Sequence, residues 1–212
     1  MTLLHVIDYG MGNLLSISKG LEKMGATVKI INYKDPEFSN KIKESAGLVI
    51  PGVGAFRDAM RNLHSIKNII ISEVENGKLL LGICLGFQLL FSDSTEGIEN
   101  GQKPYKGLEL IQGHVIRFPN DIVVPHMGWN SIKFMRESPL IQNIPENSYF
   151  YFVHSYYGTT LSENVIGLTQ YEKIFFASIV QKDGIFATQF HPEKSSDLGL
   201  MMLQNFISLC KK

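Results

Sequence analysis

The sequence predicts one α/β domain over residues 1–212, built on a mostly parallel, doubly wound sheet flanked by helices and carrying an antiparallel extension. Three observations predict it. The first half alternates strand-length apolar runs with helix-period segments. The second half is mainly strand-like. Between them, Gly82-Ile83-Cys84-Leu85-Gly86 joins an apolar run to an amphipathic one, the strand–turn–helix layout of a nucleophile elbow.

The elements follow in order. Leu3–Asp8 is an apolar run of strand length. Asn13–Gly25 sets Leu14, Ile17, Leu21 and Met24 at helical spacing, and Gly25 stops the helix. Thr27–Ile31 reads as a second strand and Gly47–Ile50 as a third, closed by Pro51-Gly52. Helical text runs to about Asn76, and Leu79–Ile83 is the strand of the elbow. Asp93–Lys106 lacks periodicity and reads as loop. Glu109–Phe118, Tyr149–His154, Val165–Gln170, Phe175–Val180 and Gly184–Phe190 read as strands, with Lys182-Asp183-Gly184 as a hairpin turn. Leu198, Met202, Phe206 and Leu209 mark a closing helix. No repeat, low-complexity tract or linker interrupts the chain.

Composition narrows the function. Hydrophobic content of 44% supports a real core, and 19% charged residues is low for a disordered chain. Lys+Arg and Asp+Glu both number 20, which argues against nucleic acid as a main partner. No apolar run approaches the roughly 18 residues of a membrane span, and the first ten residues lack the pattern of a signal peptide. The two cysteines, Cys84 and Cys210, suggest no disulfide framework; a working thiol fits a reducing cytoplasm. No metal site is expected, because the histidines are dispersed and no C-x-x-C or H-x-x-x-H pair occurs. Gly10-Met11-Gly12 starts like a dinucleotide loop, but Leu15 stands where the third glycine belongs, and no cofactor is expected.

The chemistry centres on Cys84. The elbow forces its central residue into strain, so small neighbours are needed, and Gly82 and Gly86 supply them. A helix N-terminus beyond the turn favours a thiolate. A cysteine nucleophile needs a base and an orienting group. His5 lies inside the first strand and reads as a satisfied core residue; His64 and His114 have no acidic context; His126 and His154 remain open. His191 stands out, because in an extended chain it shares a side with Glu193 across Pro192. Glu193 can then hold one imidazole nitrogen and leave the other for the thiol. Oxyanion donors are the N–H of Leu85 and those of the Gly52-Val53-Gly54 turn, chiefly Val53 and Gly54. Gln88, one turn beyond Cys84, can face the same pocket.

These blocks carry a resemblance. GICLGFQLLF at 82–91, PGVGAF at 51–56 and ATQFHPEKS at 187–195 are similar to the class I, triad-type glutamine amidotransferases. DYGMGNL at 8–14, PHMGWN at 125–130 and YFVHSYY at 151–157 most resemble the glutaminase subunit of imidazole glycerol phosphate synthase, of histidine biosynthesis. The resemblance implies a Cys84–His191–Glu193 triad that cleaves L-glutamine to glutamate and ammonia through a γ-glutamyl thioester. It implies that Gln88, Gly52, Ser155 and Tyr156 bind the substrate, and that the PGVG turn is misaligned for the oxyanion at rest. It also implies a (β/α)8-barrel cyclase partner, in a heterodimer, that receives ammonia through a channel and makes imidazole glycerol phosphate and AICAR. Asn13, Trp129 and Lys194 lie in the motifs that would face it. Paralogues of this class feed other synthetases, such as those aminating sugars of surface polysaccharides, and a cysteine hydrolase of the same shape is a third possibility. Three departures stand out: a glycine is expected where Glu109 stands, Phe87 replaces the methionine of many relatives, and the loop Ile98–Lys106 is extended.

Overall fold

The computed structural model describes residues 2–98 and 103–211. The first half runs β1 (Thr2–Asp8), α1 (Leu14–Lys23), β2 (Ala26–Asn32), α2 (Phe38–Glu44), β3 (Gly47–Ile50), α3 (Phe56–Leu63), α4 (Lys67–Glu75), β4 (Leu79–Ile83) and α5 (Leu85–Leu89). Then come β5 (Phe91–Ser94), β6 (Tyr105–Lys106), β7 (Ile111–Arg117), β8 (His126–Ser131), β9 (Lys133–Phe134), β10 (Tyr149–His154) and β11 (Tyr156–Thr160). The chain closes with β12 (Val165–Tyr171), β13 (Ile174–Lys182), β14 (Ile185–Thr188) and α6 (Ser196–Leu209).

The main sheet has the order β2-β1-β3-β4-β14-β13-β12-β9. Its first five strands are parallel and the last three antiparallel, which is the predicted sheet with its extension. Strand side chains alternate between faces, and the core divides accordingly. Leu4, Val6, Val49 and Leu81 meet Ile17 and Leu21 of α1 and Leu203 and Phe206 of α6. Ile7, Leu48, Ile50 and Leu80 meet Phe38, Phe56, Leu63 and Ile70 of α2 to α4. Helices therefore cover both faces, as right-handed crossovers between parallel strands require.

A four-stranded sheet, β11-β7-β5-β6, and an antiparallel ribbon, β10-β8, stand beside the main sheet. Parts of them differ from the sequence expectation. Asp93–Lys106 is not all loop: Asp93 and Ser94 pair with Lys106 and Tyr105, while residues 99–102 lie outside the described ones. Strand β5 hides in sequence because Ser92, Asp93 and Ser94 are poor strand formers, held by pairing with β7. The strand expected from Glu109 starts later, at Ile111, because Glu109 takes φ 60, a left-handed conformation. Its carboxylate lies 3.2 Å from Lys106 and 3.5 Å from Lys67. Helix α2 escaped notice because only Phe38 and Ile42 of its seven residues are buried.

Candidate active site

Strands β4 and β14 are parallel neighbours, so their carboxyl ends open on the same crevice. Cys84 follows β4 at φ 54, ψ −105, a strained backbone for a non-glycine residue. Its N–H donates to the Thr188 carbonyl of β14 (2.8 Å), and its own carbonyl accepts from Gln88 N–H (3.1 Å). The turn is tight because the chain beyond it nearly touches β3. A Cβ on Gly86 would lie 1.8 Å from the Ile50 carbonyl oxygen, and one on Gly82 would lie 2.8 Å from the Gly86 oxygen. Gly86→Ala is therefore expected to destabilise the fold by about 3 kcal/mol or more, since backbone cannot yield as a side chain can. A urea midpoint unchanged from wild type would refute this.

The helix past the turn, α5, has only five residues, so the expected dipole support for the sulfur is small. Its first N–H is also not free: Leu85 N–H donates to the Gly52 carbonyl at 3.3 Å. Leu85 therefore does not point a donor at the cavity in this conformation, contrary to the simplest oxyanion arrangement. Gly52, unlike Leu85, does not line the cavity. It is buried behind it, where a Cβ would meet the Tyr9 hydroxyl at 2.2 Å and Leu85 Cβ at 2.8 Å.

His191 reaches the crevice from β14. Its Nδ1 lies 2.8 Å from Glu193 Oε1, and both side chains are almost wholly buried. The geometry differs from the extended chain expected there: Pro192–Lys194 form a 3-10 turn, with His191 as its N-cap. The turn, not strand alternation, brings the carboxylate back to the ring. Ser195 fixes this turn, a role the sequence did not disclose. Its hydroxyl donates to the His191 carbonyl (2.6 Å) and accepts from Tyr151 N–H (3.0 Å). His191 Nε2 has no hydrogen-bond partner and lies beside Cys84. Burial works against the imidazolium, but the Cys84 sulfur and the Glu193 carboxylate outweigh it and push His191 up to about 10.

The other histidines separate from this centre. His154 faces the cavity, yet both its ring nitrogens are engaged, by His126 (3.0 Å) and the Tyr156 carbonyl (2.8 Å). Neither it nor His126 is free to act as a base. His5 is a core residue, but not a satisfied one, because its Nδ1 has no partner. His114 does have an acidic partner, Asp93 at 2.7 Å across the β5–β7 pair. Cys210, buried at the end of α6, is pushed up to about 12 by burial and is no rival nucleophile.

The cavity at Cys84 measures about 330 Å³. Val53, Gly54, Gln88, Ser155 and Tyr156 line it. Glu96 lines it too and was missed, because it sits in the stretch read as loop. Glu96 Oε2 accepts the N–H of Phe56 at 2.8 Å, and burial raises its carboxyl above the usual range. An acid shortly after the elbow helix, returning to the same strand ends, was the available signal. Among the described residues no cluster of three or more His, Cys, Asp or Glu is arranged to hold a metal.

Asn13, Trp129 and Lys194 are all exposed. The Asn13 side chain caps α1 by accepting Ser16 N–H (3.2 Å). Trp129 is 53% exposed and stacks edgewise on Tyr151, with Met127 and Tyr149 exposed on the same ribbon. Among the described residues no helix is long and apolar enough to cross a membrane.

Comparison with known proteins identifies the family. The family model "Glutamine amidotransferase class-I" matches residues 5–209. The imidazole glycerol phosphate synthase subunit HisH of Methanosarcina barkeri (strain Fusaro / DSM 804) is 48% identical over 207 residues, covering 97% of this chain and 98% of that one. The HisH subunit of Moorella thermoacetica is 49% identical over 210 residues (97% and 94% covered), and that of Archaeoglobus fulgidus 45% over 212 (99% and 100%). Among solved structures, a glutamine amidotransferase superposes with a TM-score of 0.72 at 17% identity (99% of each chain), and PurLQS from Thermotoga maritima with 0.73 at 16% (98% of each), which shows a shared fold. The chain belongs to the class-I glutamine amidotransferase family and, within it, to the group of imidazole glycerol phosphate synthase HisH subunits.

Proposed function

We propose that this chain hydrolyses L-glutamine and hands the ammonia to the cyclase subunit of imidazole glycerol phosphate synthase, in the cytoplasm. One observation carries the hydrolysis: an elbow cysteine beside an imidazole whose far nitrogen is held by a buried carboxylate at 2.8 Å. The Cys84 sulfur attacks the side-chain amide carbon. His191 gives a proton to the leaving nitrogen, which departs as ammonia and leaves a γ-glutamyl thioester. Water, deprotonated by His191, then attacks the thioester and frees glutamate and the sulfur. Glu193 orients the ring and stabilises its charge. The Glu96 carboxylate suits the α-ammonium of the substrate, with Gln88, Ser155 and Tyr156 around it.

The oxyanion needs a rearrangement. While Leu85 N–H donates to the Gly52 carbonyl, one donor is withheld. A turn of the Gly52–Gly54 segment would release Leu85 N–H and swing that of Val53 or Gly54 toward the charge. Losing one such donor typically costs about 3–4 kcal/mol in the transition state. The exposed Trp129, Met127 and Tyr149 support a docking face for the partner, with Asn13 and Lys194 at its side. The free thiols of Cys84 and Cys210 suit a reducing compartment.

The test is glutamate release by the chain alone, with the cyclase, and with the cyclase and its nucleotide substrate. Stimulation of about 10²–10³-fold by both together is expected, the worth of one restored oxyanion donor. No stimulation by this cyclase, but stimulation by a sugar-aminating synthetase, would reassign the partner.

A further inference from the structure

The two buried histidines left over from the base assignment form a chain of hydrogen bonds with one direction. Asn130 fixes its outer end. Asn130 Oδ1 accepts Ser131 N–H (2.8 Å) and its Nδ2 donates to the Gln170 carbonyl (2.9 Å), so the amide cannot flip without losing both. The remaining N–H of that amide faces His126 Nε2 at 3.2 Å. At the inner end the Tyr156 carbonyl can only accept, so His154 Nδ1 carries a hydrogen. His126 Nδ1 and His154 Nε2 are 3.0 Å apart between these ends. Only one assignment satisfies every contact with both rings neutral: Asn130 donates to His126, His126 to His154, and His154 to Tyr156.

The Tyr156 carbonyl is where this chain meets the substrate cavity. It also accepts from Gln88 Nε2 at 2.9 Å, which engages its second lone pair. The other N–H of Gln88 points to Gln189 Oε1 at 3.2 Å. With both hydrogens drawn inward, the Gln88 amide presents its oxygen to the cavity that Cys84 lines.

We propose that His154, backed by His126, is a positioning residue for glutamine binding: it holds the Tyr156 carbonyl so that Gln88 offers an acceptor, not a donor, to the substrate's α-ammonium. This rests on the glutaminase reading and deepens it. Register supports it, since His126 and His154 are direct cross-strand partners on the inner face of the β8–β10 ribbon, with Phe152 stacked on His126. Burial lowers His126 to about 4 and His154 to about 3, so both rings keep the neutral state that the directed chain requires.

The test compares L-glutamine with glutaramate, the same amide lacking the α-amino group, in the complex with the cyclase. His154→Phe removes the donor to Tyr156 and is expected to raise KM for glutamine about tenfold, with kcat within about twofold. The preference for glutamine over glutaramate should fall by a similar factor. His154→Asn places an amide N–H where Nδ1 stood and should recover most of the loss. If His154→Phe does not fold, His154→Leu decides: it has the shape of the asparagine variant without its N–H, and should raise KM for glutamine where His154→Asn does not. An unchanged preference in a folded variant, or loss in His154→Asn equal to that in His154→Phe, would overturn the proposal. Wild-type protein that does not hydrolyse glutamine would instead refute the reading beneath it.

Discussion

Cys84→Ala is expected to lower glutamine hydrolysis by about 10⁴-fold or more, while the complex keeps its synthesis from free ammonia. The substitution is suited to this question. Alanine retains the Cβ and so meets the same backbone strain at φ 54 as cysteine does. The close approaches around the elbow involve the glycines on either side, not the sulfur. The sulfur's hydrogen bond to the Val153 carbonyl, at 3.9 Å, is long and weak. Stability should therefore change little, and the loss should be one of chemistry. Nothing else in the cavity can replace the nucleophile: its hydroxyl groups belong to Ser155 and Tyr156, and neither stands at the elbow beside the unpartnered His191 Nε2. The check is glutamate release next to ammonia-driven turnover in the same preparation. Retained hydrolysis would remove the nucleophile assignment, and loss of both activities would point to a damaged complex.

The reach of the sequence depended on how far apart the interacting groups lie along the chain. The elbow and the His191–Glu193 pair were legible because each is a local pattern whose geometry is set within a few residues. Strands β1, β3 and β4 were legible because strands buried on both faces read as continuous apolar runs. Strand β8 was not, since its residues are alternately exposed and polar and its Gly128 sits at φ 136. Nor was Glu96, whose place depends on α3, forty residues earlier. The engagement of Leu85 N–H by Gly52, and of His154 Nε2 by His126, are long-range contacts that no spacing rule encodes. Each of these changed a role: Leu85 from a ready donor to a withheld one, and His154 from a possible base to a support for Gln88.

Glu193→Gln should reduce kcat/KM by about 10²–10⁴-fold and move the alkaline limb of its pH profile to lower pH. In the wild-type site His191 is raised from 6.5 to about 10, in spite of burial, by the Cys84 sulfur and Glu193 together. The proton that leaves with ammonia is thus already on the ring at neutral pH, and activity should decline as pH rises through about 10. Glutamine at 193 can still accept from Nδ1–H and keep the ring oriented, but it removes the negative charge. The imidazolium then becomes harder to hold against burial, so the decline must begin earlier. Stability follows the same sign. A raised histidine stabilises the fold fully below 6.5 and loses that contribution as pH rises through about 10. The variant should therefore lose part of its advantage over the unfolded chain at neutral pH and show a weaker alkaline dependence of its urea midpoint. The two readouts separate the roles of the carboxylate: a lower rate with an unmoved alkaline limb would mean that Glu193 only orients the ring, whereas a shifted limb means that its charge holds the proton.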